Sequence, residues 1–375
     1  MDSKNILYYI FSIVRIFLYP FALIYGALVW LRNRMYDAKF FSSIEFSVPV
    51  ITVGNLSTGG TGKTPHVEYL VRQMEYQYQA ATMSRGYKRH TQGFMVADAH
   101  SNALRIGDEP MQYHIKYPDL VVSVAEERMI GIPALLQRRP DVDVIILDDA
   151  YQHRSVKAGL SILITDCSRP FYKDFVLPFG SLREGRGAYK RANIIIVSKC
   201  PADLSAGQAK SIEEKIAPLP HQQVFFTSIQ YDKPYDIISR EEVTLSGKNV
   251  ILVCGIARPE PLVAYVKSSA ADVHTLTYPD HHYFVSANLE EMKDAYENWN
   301  LPDKIILTTE KDAARLYLHL DKLREWGITI AALPITVNIL FSKGDALNAA
   351  VMQYVEKAVA ENNELFGNAS DYNQV

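Results

Sequence analysis

The sequence predicts an α/β fold: a mostly parallel sheet with helices on both faces, a second smaller α/β lobe, and an N-terminal membrane-associated helix. Three observations carry this. Short β-branched apolar runs alternate with amphipathic stretches from residue 50 onward. One of those runs feeds a glycine-rich loop that opens a helix. The alternation restarts near residue 222 with no second loop of that kind. The expected division is an apolar N-terminal segment (1–40), a first domain (41–220), a smaller C-terminal lobe (221–361) and a polar, disordered tail (362–375).

Composition narrows the function classes. At 375 residues the chain has room for two domains and an accessory segment. Hydrophobic content of 48% and charged content of 22% are ordinary globular values, which argues against disorder over most of its length. A net charge of -3 argues against general nucleic-acid binding, which needs a basic surface. Cys167, Cys200 and Cys254 are far apart and odd in number, so they suggest neither a disulfide framework nor a metal site. No obligate protein partner is evident.

Residues 6–31 are almost wholly apolar and aromatic, interrupted by Arg15 and Pro20. A charge near the centre of a spanning helix is costly, and an internal proline kinks it. Lys4, Arg15, Arg32, Arg34 and Lys39 suit an anionic membrane face. The expectation is an interfacial or shallowly inserted helix, ahead of a single span and of a cleaved secretory signal.

Residues 50–53 form the first buried strand, with Pro49 at its tolerated edge. Then follow Ser57, Thr58, Gly59, Gly60, Thr61, Gly62, Lys63 and Thr64. Val67, Leu70, Val71 and Met74 recur at helical spacing after Pro65. Strand, glycine loop and helix with Lys-Thr at its start are the setting of a P-loop, so the sheet is P-loop NTPase-like. Glycines let successive amides turn toward phosphate oxygens, and the helix start adds partial positive charge. Lys63 reaches the β- and γ-phosphates of ATP, and the Thr64 hydroxyl suits Mg2+. Ser57 stands where the strict pattern asks for glycine. The plain alternative is a glycine-rich turn with a surface lysine.

A second strand at 80–83 ends in Ser84, Arg85, Gly86, Tyr87 and Lys88, where ligands bind in open α/β sheets; a solvated turn is the other option. Asp108 and Glu109 precede Pro110 and a helix. Asp108 suits a helix cap, or one of the pair takes a proton from an attacking hydroxyl. A strand at 120–124 and a helix at 126–139 follow. The run 142–147 then ends in Asp148 and Asp149, the Walker B arrangement of carboxylates at a strand tip for Mg2+. His153 and Arg154 come next and are expected near the nucleotide.

Strands at 160–165 and 192–197 flank a loop carrying Arg183 and Arg186, which either grips an acidic or acylated substrate or simply connects. Ser198-Lys199-Cys200-Pro201 ends the last strand. Guanine-specific P-loop proteins place Asp two residues after that lysine. Pro201 therefore favours ATP over the alternative, a P-loop GTPase or metallochaperone-type switch. A membrane-tethered structural ATPase is a further alternative. Beyond 222, strands at 224–229, 250–254, 273–278, 304–308 and 328–332 alternate with helices at 259–267, 286–299, 310–316 and 344–361. Asp280-His281-His282 and Thr309-Glu310-Lys311-Asp312 sit where strand gives way to helix, as ligand residues or as caps.

These motifs together resemble the tetraacyldisaccharide 4'-kinases of lipid A synthesis. The resemblance rests on VGNLSTGGTGKTP (53–65), SRGY (84–87), GDEP (107–110), LDDAYQHR (147–154), LPFGSLRE (177–184), SK (198–199), GIARPE (255–260), PDHHYF (279–284) and TTEKDAARL (308–316). It covers nearly the whole chain, and Ser57 is itself typical of the family. The resemblance implies a kinase that uses ATP and Mg2+ to phosphorylate the 4'-hydroxyl of an acylated glucosamine disaccharide 1-phosphate, giving lipid IVA. It implies a place on the cytoplasmic face of the inner membrane of a Gram-negative bacterium. It makes Asp108 the general base and His281 its acid–base partner from the second lobe. A base on one lobe and its partner on another suggests that lobe closure assembles the site and excludes water. It makes Asp148 and Asp149 ligands of Mg2+ and water. Glu109, counted with the metal set, and His153 are supporting.

Overall fold

The computed structural model describes the backbone of residues 3–370, and the side chains of residues 17–362 and Glu364. The chain forms two compact units. Unit 1 takes the chain up to Met83, Glu127–Ile229, and the chain from Val337 onward. Unit 2 takes Ser84–Glu126 and Gln230–Thr336. This differs from the expected split near residue 220. A pattern of strands and helices shows where elements restart, but not that a chain leaves one core at residue 84 and returns at 127.

The sheet of unit 1 runs in the order Gln223–Tyr231, Ile194–Ser198, Leu160–Asp166, Val50–Gly54, Val144–Asp148, Ala80–Ser84, with every neighbouring pair parallel. The strands read VITVG, VIILD and IIIVS because both faces are covered, and all of their residues are buried. Each fully buried aliphatic side chain contributes about 1.5–3 kcal/mol. The helix Lys63–Met74 turns Val67, Leu70, Val71 and Met74 inward, the four positions expected from spacing. Register sets Val53 beside Asp148, so the strand that feeds the glycine loop and the strand ending in acidic residues finish together.

The helix Ser3–Asp37 contains Pro20. One face is tied to unit 1. The Tyr25 hydroxyl donates to the Arg183 carbonyl (2.8 Å), Arg32 to the Gln152 carbonyl (2.9 Å), and Asn33 to Glu184 Oε2 (2.8 Å). A second stripe, Phe17, Phe21, Ile24, Leu28 and Leu31, follows helical spacing and is exposed. Among the described residues no helix is long and apolar enough to cross a membrane.

In unit 2 the sheet order is Asp272–Thr277, Asn249–Cys254, Lys304–Thr309, Ile330–Leu333, Tyr235–Asp236. The first three pairings are parallel and the last is antiparallel. Val121–Val124 pairs antiparallel with Met95–Val96. Ile251, Val253, Leu289 and Ile306 lie in one core cluster; Ile106, Met111, Val124 and Ala314 form another. The last helix, Gly344–Ser370 in unit 1, continues past 361 into the polar stretch expected to be a tail. Residues 371–375 lie outside the described residues.

Candidate active site

The loop of unit 1 is braced from several sides. Gly59 and Gly62 adopt φ of 100° and 88°, the left-handed region where a side chain is strained. Asn55 donates to the Thr61 hydroxyl (3.0 Å), and the Thr58 amide donates to the Ser181 carbonyl (2.7 Å). Lys199 Nζ donates to the Gly60 carbonyl (2.5 Å). Ser57 forms an antiparallel bridge with Leu182, so this position serves as a short strand edge and does not need glycine freedom. Gly54 is different: a Cβ there would lie 2.9 Å from the Tyr151 backbone nitrogen.

His66 lies beneath the loop. Its Nδ1 is 2.6 Å from the Gly62 carbonyl and its Nε2 is 3.0 Å from the Thr227 hydroxyl. A carbonyl only accepts, so Nδ1 carries the proton and Nε2 accepts from Thr227. Burial pushes this imidazole down to about 4, with the Lys199 charge adding to the effect and the Gly62 bond opposing it.

Lys63, the first residue of its helix, places Nζ 3.5 Å from Asp149 Oδ1. Arg183 grips the same carboxylate with two bonds, 2.9 and 3.1 Å. Burial alone would raise the Asp149 carboxyl; the Lys63 and Arg183 charges outweigh it and lower it. Asp149 sits at φ 50°, a strained value for a non-glycine residue at a strand end. Asp148 is buried beside it, and its carbonyl accepts from Arg128 at 3.4 Å. Among the described residues no three His, Cys, Asp or Glu side chains converge as a metal cage. The Thr64 hydroxyl with the Asp148 and Asp149 carboxylates is an all-oxygen set. That suits Mg2+, which takes one or two carboxylates and completes its shell with phosphate and water. His153 lies in the turn after Asp149, its amide donating to the Ala150 carbonyl (2.9 Å). Arg154 is drawn to the N-terminal helix, donating to the Asn33 carbonyl and to Asp37, each at 2.7 Å.

Unit 2 holds a second cluster. Asp108 is the first residue of the helix Asp108–Lys116, so it follows the cap position, which Gly107 occupies. Its Oδ1 accepts from the Glu109 amide (3.0 Å). Its Oδ2 accepts from His281 Nδ1 (2.8 Å) and from Arg315 Nη2. Burial would raise this carboxyl, but the His281 bond and the Lys311 and Arg315 charges hold it well below the usual carboxylate range. His281 adopts φ 60°, again strained for a non-glycine residue. Arg315 is buried and also donates to Asp312 Oδ1 (2.6 Å) and the Gly255 carbonyl (3.2 Å). Lys311 Nζ lies 3.5 Å from Glu109 Oε1 and 3.3 Å from His281 Nε2. Arg85 is exposed beyond the strand Ala80–Ser84.

The sequence offers Lys311 and Asp312 as ligand residues or caps but does not single out Arg315, and it sets Asp108 and His281 on different lobes, whereas both lie in unit 2 and are already in contact there. The expected cap is present: Thr309 accepts from the Asp312 amide (3.0 Å). The missed signal is the charge spacing Lys311–Arg315, one helical turn apart, with Asp312 between them.

Residues 14–356 match the family described as Tetraacyldisaccharide-1-P 4'-kinase. The chain is 41% identical over 353 residues to a tetraacyldisaccharide 4'-kinase of Bacteroides thetaiotaomicron, covering 91% of this chain and 93% of the relative. It is 44% identical over 309 residues to one from Flavobacterium johnsoniae, covering 81% and 88%. A crystal structure of the "apo" form of LpxK from Aquifex aeolicus in complex with ATP superposes with a TM-score of 0.71 at 26% identity, covering 91% of this chain and 99% of that one.

Proposed function

The chain belongs to the tetraacyldisaccharide-1-P 4'-kinase family, and from that premise we propose that it transfers the γ-phosphate of ATP to the 4'-hydroxyl of a tetraacylated glucosamine disaccharide 1-phosphate in lipid A synthesis. The observation that carries the reading is the braced loop Ser57–Thr64, with the Lys63 ammonium at its helix end. Such a loop offers amides and one positive charge to a triphosphate.

The residues divide the work. The loop amides hold the phosphate oxygens, and Lys63 exchanges its Asp149 partner for a phosphate oxygen. Thr64, Asp148 and Asp149 would hold Mg2+, which supplies charge neutralisation at the phosphates. Arg183 keeps Asp149 oriented through its two bonds. Asp108 takes the proton of the acceptor hydroxyl; with Oδ2 engaged by His281 and Arg315, Oδ1 is the oxygen that accepts it. The hydroxyl oxygen bonds to the γ-phosphorus, the bond to the β-phosphate oxygen breaks, and ADP leaves.

The enzyme works at a membrane surface in this proposal, on the side where ATP is present. The exposed stripe from Phe17 to Leu31, followed by Arg34 and Lys39, supports that reading. An acylated acceptor scarcely leaves a bilayer.

Phosphate transfer from γ-labelled ATP to an acylated disaccharide 1-phosphate in detergent micelles tests the proposal. Label on the lipid, dependent on ATP and Mg2+, is expected. ATP turnover without acceptor labelling, or a preference for GTP, would overturn it.

A further inference from the structure

We propose that Lys311 is a positioning residue that fixes His281 as the neutral tautomer carrying its proton on Nδ1. The inference rests on the Asp108–His281 reading above. Asp108 Oδ2 lies 2.8 Å from His281 Nδ1, and an ionised carboxylate only accepts, so Nδ1 carries a proton. Arg315 Nη2 lies 3.5 Å from the same nitrogen because both donors meet at that oxygen. Nε2 therefore decides whether the ring is neutral or cationic. Lys311 Nζ is 3.3 Å from it, and an ammonium only donates. Nε2 must then present its lone pair.

The groups facing the ring come from four places. Asp108 comes from the helix Asp108–Lys116, while Lys311 and Arg315 come from Glu310–Leu316. Asp280 Oδ2 lies 3.8 Å from Nε2 in the turn of His281 itself. Tyr87 meets the ring edge-on at 5.2 Å. Asp280 is the group that favours a second proton, and it stands beyond hydrogen-bond reach. Lys311 is within reach, and its N–H engages the Nε2 lone pair. Its helix is itself anchored, because Asp312 Oδ2 accepts from the Gly255 amide (3.0 Å) and from the Thr309 hydroxyl (2.8 Å). Lys311 and Arg315, one turn apart, thus address the two members of the pair from one rigid helix. The neutral ring donates to Asp108 without competing for the acceptor's proton until transfer begins.

The Lys311 side chain is 22% exposed, so Lys311→Met leaves the buried Arg315 pairs in place. Lys311→Met, Lys311→Arg and Asp108→Asn are compared with the unaltered enzyme in the micelle assay across pH. For Lys311→Met, kcat falls about 10- to 100-fold with both KM values nearly unchanged. The acidic limb of its kcat profile moves to higher pH, because Nε2 has lost the donor that kept its lone pair engaged. Lys311→Arg keeps a donor and a charge, and restores most of the rate. Histidine-selective nitrogen spectra, with His281 assigned from a His281→Gln sample, show Nδ1 protonated and Nε2 bare in the unaltered enzyme, and Nε2 protonated as well in Lys311→Met. An unmoved acidic limb and an unchanged His281 signature in Lys311→Met, with Asp108→Asn inactive, would overturn the role of Lys311 and leave the pair standing. Full turnover by Asp108→Asn would overturn the pair itself, and this inference with it.

Discussion

The two units build charged sites in opposite ways. In unit 1 the glycine loop proposed to hold phosphate is made mostly of backbone, and the whole of it falls between Ser57 and Thr64. Its glycines, its helix start and its lysine are neighbours in the chain. In unit 2 the Asp108–His281 contact joins residues 173 apart, and the Arg315–Asp108 contact joins residues 207 apart. That cluster is made of side chains, and most of it is buried. A site for a phosphate chain is assembled by local conformation. A site for a proton is assembled by tertiary packing, because its reactivity depends on which charges surround the carboxylate.

Substitutions separate these two kinds of site, beginning with the largest effect. Lys63→Ala should lower kcat/KM by about 10^2–10^3-fold, since it removes a preorganised charge at the transferring phosphate. Steady-state kinetics with ATP varied check it, and unimpaired ATP use would remove Lys63 from the site. Asp108→Asn should lower kcat by about 10^2–10^4-fold while ATP affinity stays close to normal. Nucleotide titration alongside turnover checks this. A matching loss of ATP affinity would mean that the two units do not divide binding from proton transfer.

Acid should also distinguish them. His66 is held down to about 4 in the folded state against an ordinary value of 6.5, so the unfolded chain binds the extra proton first. Unit 1 therefore loses stability as pH falls below about 6.5, and this loss is complete near 4. Asp108 is also lowered, but as a carboxylate. Its contribution persists above the ordinary carboxylate value and is lost only as pH falls below it. Hydrogen exchange corrected for intrinsic rate, at pH 7 and pH 5, should show the helix Lys63–Met74 loosening while Asp108–Lys116 holds. Equal loosening, or loosening that survives His66→Asn, would reject the assignment. The smallest effect is expected outside both sites. Leu28→Asp, on the exposed stripe, should weaken flotation with anionic vesicles about tenfold or less and spare turnover of a short-chain soluble acceptor. Unchanged flotation would show that this stripe does not meet lipid.

What was legible follows the same division. The inward face of Lys63–Met74 could be read from spacing, and the acidic end of Val144–Asp148 from a run of apolar residues meeting two aspartates. Ser57 was legible as a departure but not as a bridge partner of Leu182, because that pairing joins distant loops. Arg154, expected near nucleotide, is held by Asn33 and Asp37 of the N-terminal helix; nothing local to LDDAYQHR announces that partner. Arg315 is a charged residue on a short helix; Asp312 pairs with it from that same helix, but Asp108 arrives from a different one, 207 residues away in the chain. Charge patterns are readable along one element, whereas the depth at which a charge sits is a property of the assembled core.

The excursion of residues 84–126 out of unit 1 and back constrains how this protein can be rearranged. A graft of unit 2 from a relative needs two separate inserts, and four junctions must be matched together. A fragment ending near residue 220 would carry Asp108 without His281 or Arg315, the two groups from which its Oδ2 accepts. Exchange of whole modules by a single crossover is therefore a poor route to new acceptors for this architecture, and change is better sought one side chain at a time.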